Sequence, residues 1–125
     1  MINLEKQITY WEEGSSQDLE TAKLLIDNGR ILHGLFFCHL AIEKSLKARV
    51  VEITKEIAPR SHNLLYLSEK AEITFDDDIE IFLGILMKYQ LQGRYPDYKP
   101  TIPDLKRVKE YLTTTETVKL WLKVK

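Results

Sequence analysis

The stretch that decides the fold is RILHGLFFCHLAIEKSLKARVVEI, residues 30–53. Its first half is apolar on every side of a helical wheel, which is typical of a helix enclosed by other helices. The second half is amphipathic, and Glu43 and Lys47 have the i,i+4 order that favours an ion pair on a helix. We therefore predict a central helix over Arg30–Ile53, about 30 to 35 Å long at the α-helical rise per residue. The apolar residues of its first half are Ile31, Leu32, Leu35, Phe36, Phe37, Cys38, Leu40, Ala41 and Ile42.

The composition is that of one globular domain with its own core. The chain has 125 residues, of which 44% are hydrophobic and 30% are charged, so we predict a single domain over residues 1–125. The only cysteine, Cys38, excludes an intrachain disulfide and a multi-cysteine zinc site, and we expect a buried thiol. The net charge of -1 provides no overall attraction to nucleic acid, so RNA contact would need a local basic patch.

The sequence favours a cytoplasmic protein without a membrane partner. No apolar run reaches the ~18 residues that cross a bilayer. The first residues, MINLEKQITYWEE, lack the basic and then apolar layout of a signal peptide. We therefore expect a cytoplasmic location.

A second helix is predicted before the central one, from about Asn3 to Asn28. Its helix propensity is lowest over residues 14–16, where Ser16 could cap a separate helix or the chain could kink. Asn28 and Gly29 supply a left-handed stop signal. Such a short connection predicts that the two helices are antiparallel neighbours. The apolar residues at helical spacing are Leu4, Ile8, Trp11, Leu19, Ala22, Leu25 and Ile26.

Two further helices are predicted after a loop at Pro59. Ser61 is expected to cap a short helix that ends near Ala71. The acidic run of residues 76–78 is interpreted as a helix start rather than a metal site, with Asp77 and Glu80 at capping-box spacing. Gly93 is expected to end this fourth helix. Its inward residues should be Ile79, Phe82, Leu83, Leu86, Met87 and Leu91.

The last helix is predicted to open at Pro103 and Asp104. Three consecutive threonines, residues 113–115, weaken the helical signal in its middle. No alternation of two indicates a strand, so we predict an all-α fold. The inward face of the last helix should be Leu105, Val108, Tyr111, Leu112, Val118 and Leu122.

Few residues have side chains that are candidates for catalysis or ligand binding. His33 and His39 lie on the central helix, where we interpret them as core or interface histidines. His62 lies in a loop before a helix, where an imidazole can be exposed and oriented, so it is a candidate site residue. The sequence contains no metal-binding set and no cofactor motif.

A second polar and aromatic concentration lies in the loop after the fourth helix. It consists of Arg94, Tyr95, Asp97 and Tyr98 around Pro96. A guanidinium fork suits phosphate, and a tyrosine ring offers a stacking surface. The alternative is that Arg94 and Asp97 only pair with each other across the turn.

Three ordered segments carry a family resemblance: residues 18–50, PRSHNLLYL at 59–67 and GRYPDY at 93–98. Together they resemble the HEPN domain family, small helical proteins of bacteria and archaea, over roughly residues 17–112. The matches to the family's first helix are Asp18, Leu19 and Ala22. The matches to its A-x-EK-x-LKA signature are Ala41, Glu43, Lys44, Leu46, Lys47 and Ala48. His62 and Leu64 match H-x-L, and Arg94, Tyr95, Pro96 and Asp97 match an RYPD element.

The resemblance implies an up-and-down four-helix core with an additional short helix, dimerisation, and association with a minimal nucleotidyltransferase partner. The HEPN ribonucleases also resemble one another in an Arg followed, after four to six residues, by a His. That spacing is missing here, because Arg30 is separated by two residues from His33 and Arg60 by one from His62. The glutamines that many members carry before this signature are His39 and Leu40 in this chain. These departures argue against ribonuclease activity.

Two functions remain open from the sequence. The first is a dimeric, non-catalytic module, within a toxin–antitoxin-type pair, that binds a nucleotide or a minimal nucleotidyltransferase. In it His62, Arg94 and Tyr95 would face a common groove beside Asp97, and Glu43, Lys44 and Lys47 would be the family signature. The second is an RNA-cleaving toxin that uses His62 and Arg94 as a noncanonical pair.

Overall fold

The computed structural model describes residues 2–91 and 96–124. Within these ranges the chain forms five α-helices and no strand. The bounds are α1 Leu4–Asp27, α2 Ile31–Thr54, α3 Leu64–Lys70, α4 Asp77–Met87 and α5 Leu105–Lys123. The predicted all-α fold is confirmed.

The four longer helices, α1, α2, α4 and α5, alternate in direction along the chain. α2 packs against every other helix. Near the start of α4, Phe75 contacts Trp121, and further along it Phe82 contacts Tyr111, so α4 and α5 are antiparallel. α1 and α5 are also antiparallel, because Ser16 in α1 contacts Lys119 in α5, whereas Lys23, later in α1, pairs with Glu116, earlier in α5. The result is an up-and-down four-helix core, with α3 as the additional short helix.

The core contains side chains from all five helices, and α2 is its centre. The apolar half of α2 is not buried uniformly. Leu35 and Ile42 are fully buried, whereas Phe36, Phe37 and Leu40 are only half-buried. The prediction that the whole first half is enclosed is therefore wrong for the side of the helix that carries these three residues, because the neighbouring helices cover it only in part.

Small residues let α1 and α2 approach closely. The Ser15 hydroxyl is fully buried and lies 2.6 Å from the carbonyl oxygen of Ala41 and 2.7 Å from the hydroxyl of Ser45. α1 is continuous through residues 14–16, so Ser16 does not cap a separate helix. These tertiary hydrogen bonds offset the low helix propensity that suggested a break.

The connection between α1 and α2 confirms the predicted stop signal. Gly29 has a φ of +78°, and the Arg30 amide donates to the carbonyl of Leu25 at 2.8 Å. This is the left-handed helix end that glycine adopts without strain.

Two predicted helix caps are displaced along the chain. The side chain of Asn63, not Ser61, accepts from the Tyr66 amide and caps α3. Ser61 instead accepts from the amide of Asn63. The start of the next helix is displaced by one residue in the other direction, because Asp76, and not Asp77, caps α4.

The predicted end of α4 and start of the inward face of α5 need correction. α4 ends at Met87, so the half-buried Leu91 lies beyond it, and Gly93 falls outside the described residues. α5 begins after Asp104 as predicted and continues through the three threonines without a break. Leu105, the first residue of α5, is 55% exposed rather than inward.

Candidate functional site

The carboxylate of Glu43 is the centre of a buried polar cluster on α2. Glu43 is 3% exposed and Lys47 is 6% exposed. The Lys47 ammonium donates to Oε2 of Glu43 at 3.1 Å, which confirms the predicted i,i+4 pair. Removing the two charges of an ion pair from water costs free energy. The carboxylate oxygens and ammonium hydrogens that the pair leaves free therefore need hydrogen-bond partners among neighbouring side chains.

The neighbour that completes the cluster is His62. Its Nδ1 atom lies 3.0 Å from Oε1 of Glu43, while its side chain is 49% exposed. The imidazole therefore connects a buried carboxylate to the protein surface. Nδ1 of the fully buried His39 lies 3.6 Å from the same Oε1 atom.

Local structure explains why these groups meet. His39, Glu43 and Lys47 are spaced by four residues and so share one face of α2. His62 lies between the loop at Pro59 and Asn63, whose backbone is extended and whose side chain caps α3. The cluster thus combines a rigid helix face with a short, restrained loop.

The cluster extends to α1 through an aromatic contact. The Lys47 ammonium lies 5.0 Å from the centre of the Trp11 ring, a cation–π distance. The buried Nε1 atom of Trp11 has no hydrogen-bond partner among the described residues. Trp11, Lys47, Glu43 and His62 therefore form one connected series from α1 to the loop before α3.

The family-signature residues divide into two groups. Glu43 and Lys47 belong to the buried cluster, whereas the Lys44 ammonium pairs with Asp18 of α1 at 2.8 Å. Asp18 was itself one of the residues that carried the resemblance. The Asp18–Lys44 pair ties α1 to α2, which gives the two signature residues a structural role.

The structure leaves part of the predicted site untested. Arg94 and Tyr95 lie outside the described residues. Asp97 is exposed, and the Tyr98 hydroxyl donates to the carbonyl of Lys88 at 2.7 Å. The described part of this loop is thus attached to the end of α4, and a common groove for His62, Arg94 and Tyr95 stays a prediction.

The two histidines of the central helix differ. His39 is fully buried, as interpreted from the sequence, but His33 is exposed. Among the described residues no group of three or more His, Cys, Asp or Glu side chains could hold a metal ion. The acidic residues 76–78 form the start of α4, as predicted.

Sequence reasoning found the Glu43–Lys47 pair and His62 separately, but it did not bring them together. It also did not find the roles of Trp11 and His39. The four-residue spacing of His39, Glu43 and Lys47 was a usable signal, since it places three titratable side chains on one helix face. No local signal could have placed His62 against that face.

The arrangement supports hydrogen bonding and proton transfer. A carboxylate that accepts a hydrogen bond from one imidazole nitrogen orients the ring, and the other nitrogen can then contact a ligand. Because Glu43 is buried, solvent does not compete for this hydrogen bond as it would on the surface.

The fold and this polar cluster define a class of small helical-bundle proteins with a buried Glu–Lys pair on the central helix. The family model of the HEPN domain matches residues 8–125, and the chain belongs to this family. This confirms the family inferred from the three sequence segments.

Two solved structures are similar in fold. TT1696 from Thermus thermophilus has 20% sequence identity and a TM-score of 0.76, covering 94% of this chain and 96% of that chain. ST0689, an archaeal HEPN homologue, has 23% identity and a TM-score of 0.68, covering 98% of this chain and 97% of that chain. A comparison with functionally curated proteins finds no match.

Among the helices of residues 2–91 and 96–124, none combines the length and the apolar character that a membrane span needs.

Proposed function

We propose that this HEPN chain is a homodimeric binding module, within a toxin–antitoxin-type pair, for a nucleotide or a minimal nucleotidyltransferase. The observation that carries the proposal is His62, a half-exposed imidazole held at 3.0 Å by the buried carboxylate of Glu43. An oriented polar side chain at the surface of a rigid bundle is well suited to recognition. The family's association with nucleotidyltransferases supplies the class of partner.

The loop at residues 94–97 supplies the other contacts in this proposal. Arg94 offers two parallel N–H donors for a phosphate, and Tyr95 offers a ring on which a base can stack. Pro96 restricts the backbone that presents them. The hydrogen bond from Tyr98 to the carbonyl of Lys88 supports the proposal, because it holds the adjoining part of the loop on the bundle.

Partly exposed apolar side chains on the central helix support dimerisation. Phe36 and Leu40 are half-buried and lie outside the main core cluster. They lie about two turns and one turn before Glu43 on the same face of α2, so a second copy that covers them would also approach His62. Burial of such a strip between two identical chains is the usual basis of a two-fold interface.

One observation favours a second candidate function, RNA cleavage. A histidine whose ring is oriented by a carboxylate has the arrangement used for general acid–base catalysis. The usual Arg and His spacing of the family's ribonucleases is missing from this sequence, so the binding module is the better-supported proposal.

Calorimetric titration tests the binding proposal. ATP and the product of a neighbouring nucleotidyltransferase gene are titrated into the wild type and into Arg94→Ala, His62→Ala and Arg107→Ala variants. Arg107 is a matched control, because it is an exposed arginine whose partners, Glu110 and Tyr111, lie on its own helix α5. We expect loss of binding in the first two variants, wild-type binding in the third and an unchanged circular dichroism spectrum in all.

A labelled-RNA assay with the same proteins separates the two functions. The binding module predicts no cleavage by the wild type. Cleavage that disappears in His62→Ala would replace it with the ribonuclease, and binding that survives loss of both His62 and Arg94 would remove the site.

A further inference from the structure

The hydrogen bond between His62 and Glu43 determines which ring nitrogen of His62 carries the proton. A carboxylate accepts hydrogen bonds and does not donate them, so the 3.0 Å contact with Oε1 places an N–H on Nδ1. In a neutral imidazole one nitrogen donates and the other accepts. Nε2 of His62 is therefore an acceptor when the ring is neutral.

The orientation of the Glu43 carboxylate is itself determined by its surroundings. Oε2 accepts from the Lys47 ammonium at 3.1 Å, and Lys47 is confined between this carboxylate and the Trp11 ring. Oε2 of Glu43 thus faces Lys47, and Oε1 faces Nδ1 of His62 at 3.0 Å, closer than the 3.6 Å to Nδ1 of His39. Because Glu43 and Lys47 are nearly inaccessible to solvent, the acceptor for His62 is a fixed part of the bundle.

We propose that Glu43 is a positioning residue, which places the proton of His62 on Nδ1 so that Nε2 accepts a hydrogen bond from a hydroxyl or N–H group of the ligand. The inference deepens the proposed function and rests on it for the presence of a ligand at His62. A phosphate oxygen is an acceptor and does not suit an unprotonated Nε2. In a nucleotide, the groups of the right chemistry are the ribose hydroxyls and the base amino groups.

Long-range ¹H–¹⁵N correlation spectra of the wild type test the tautomer directly. The spectra are recorded at pH 8.5, above the ordinary imidazole pKa of about 6.5, and His62 is assigned by the signals missing from a His62→Gln variant. We expect a protonated Nδ1 and an unprotonated Nε2, the tautomer that free histidine disfavours in water. An Nε2–H tautomer would overturn the inference.

The Glu43→Gln variant tests the positioning role directly, because it reverses the direction of the hydrogen bond between residue 43 and His62. Lys47 needs an acceptor, so the glutamine oxygen should face Lys47 and its NH₂ group should face Nδ1 of His62. The proton of His62 is then expected to move to Nε2. The control Glu52→Gln, on the same helix beside Arg49, should leave the tautomer unchanged.

A folded Glu43→Gln variant that keeps the proton on Nδ1 would contradict the positioning role. The variant also leaves Lys47 without its counter-charge, which destabilises a buried pair. If it does not fold, the wild-type tautomer decides the inference by itself.

Titration of the wild type with ATP and with inorganic phosphate tests the ligand class. We expect ATP to shift the Nε2 signal without protonating it, and phosphate to leave it unchanged. Protonation of Nε2 by phosphate would overturn the ligand class. ATP binding without any shift at His62 would reject this inference and leave the proposed function standing, whereas absence of ATP binding in calorimetry would reject the nucleotide ligand and leave the tautomer result.

Discussion

At residue 34 the helices α1 and α2 are so close that the chain has no room for a methyl group. A Cβ atom built on Gly34 would lie 2.5 Å from Cγ1 of Ile26 and 3.3 Å from the carbonyl oxygen of Ala22. Ile26 is β-branched and 4% exposed, so it cannot turn aside. Gly84 on α4 offers the opposite case, since a Cβ atom there meets nothing within 4 Å.

Gly34→Ala should therefore destabilise the protein, whereas Gly84→Ala should stabilise it. Overpacking at the α1–α2 contact is expected to cost about 1 to 3 kcal/mol. The same substitution in α4 should gain about 0.5 to 1 kcal/mol, because alanine loses less backbone entropy than glycine in a helix. Urea denaturation of the two variants measures both values. Equal effects would mean that α1 and α2 are farther apart than described.

The thiol of Cys38 predicts a pH dependence of stability. Burial raises its pKa from the ordinary 9.0 to about 11, and the Thr115 hydroxyl partly opposes this rise. Between these values the native thiol keeps its proton while the unfolded thiol loses it. The free energy of unfolding contributed by Cys38 is therefore fully present below pH 9 and is lost as the pH rises toward 11.

Comparison of the wild type with Cys38→Ala isolates this contribution from other groups that titrate in the same range. The difference in free energy of unfolding between the two proteins should change by roughly 2 to 3 kcal/mol, in favour of the variant, from about pH 8 to pH 11. Urea denaturation at several pH values measures it. A constant difference would contradict the burial of the thiol.

At the scale of the helix, stability depends on which residue caps the start. α3, α4 and α5 begin with Asn63, Asp76 and Asp104, and in each case the side chain accepts from the backbone amide three residues later. Capping by side chains satisfies amides that have no partner inside the helix. The run of three aspartates at the start of α4 shows how closely the cap depends on backbone geometry, because only the first accepts from such an amide.

Asp76→Ala and Asp77→Ala form a matched pair for this geometry. Loss of the Asp76 cap should cost about 1 kcal/mol. Loss of Asp77 should cost about 0.3 kcal/mol in physiological salt, because it removes only a favourable charge near the helix N-terminus. Chemical denaturation of the two variants measures the difference, and the reverse order would place the cap at Asp77.

At the scale of the whole molecule, the half-buried side of α2 is the surface that a second copy of the chain would cover. Leu46 is fully buried among α2's neighbours, but Leu40, less than two turns earlier, is not. The proposed dimer would complete the burial of Leu40. Leu120 on α5 is 67% exposed and serves as a control leucine on a different helix.

The dimer should have a mass near twice the 14.7 kDa of the chain, as measured by light scattering at micromolar concentration. Leu40→Glu should convert it to a monomer, because a carboxylate would be buried at the interface without a partner. Leu120→Glu should remain a dimer. A monomeric wild type, or loss of the dimer in both variants, would contradict the proposed interface.

The sequence by itself determined the helices, their order and the family. Helical periodicity, the Asn28–Gly29 stop and the Pro103–Asp104 start depend on neighbouring residues, so they can be recognised locally. The Glu43–Lys47 pair was predictable for the same reason, since both residues lie on one helix within four positions.

Only the tertiary structure decided which separate elements meet. The hydrogen bond from His62 to Glu43 joins residues 19 apart, and Ser15 reaches Ala41 across 26 residues. Such contacts depend on the spacing and crossing of packed helices, which no local pattern encodes. The same packing kept α1 continuous at residues 14–16 and left Leu40 half-buried, because neighbouring helices, and not intrinsic propensity, determine which side chains are covered.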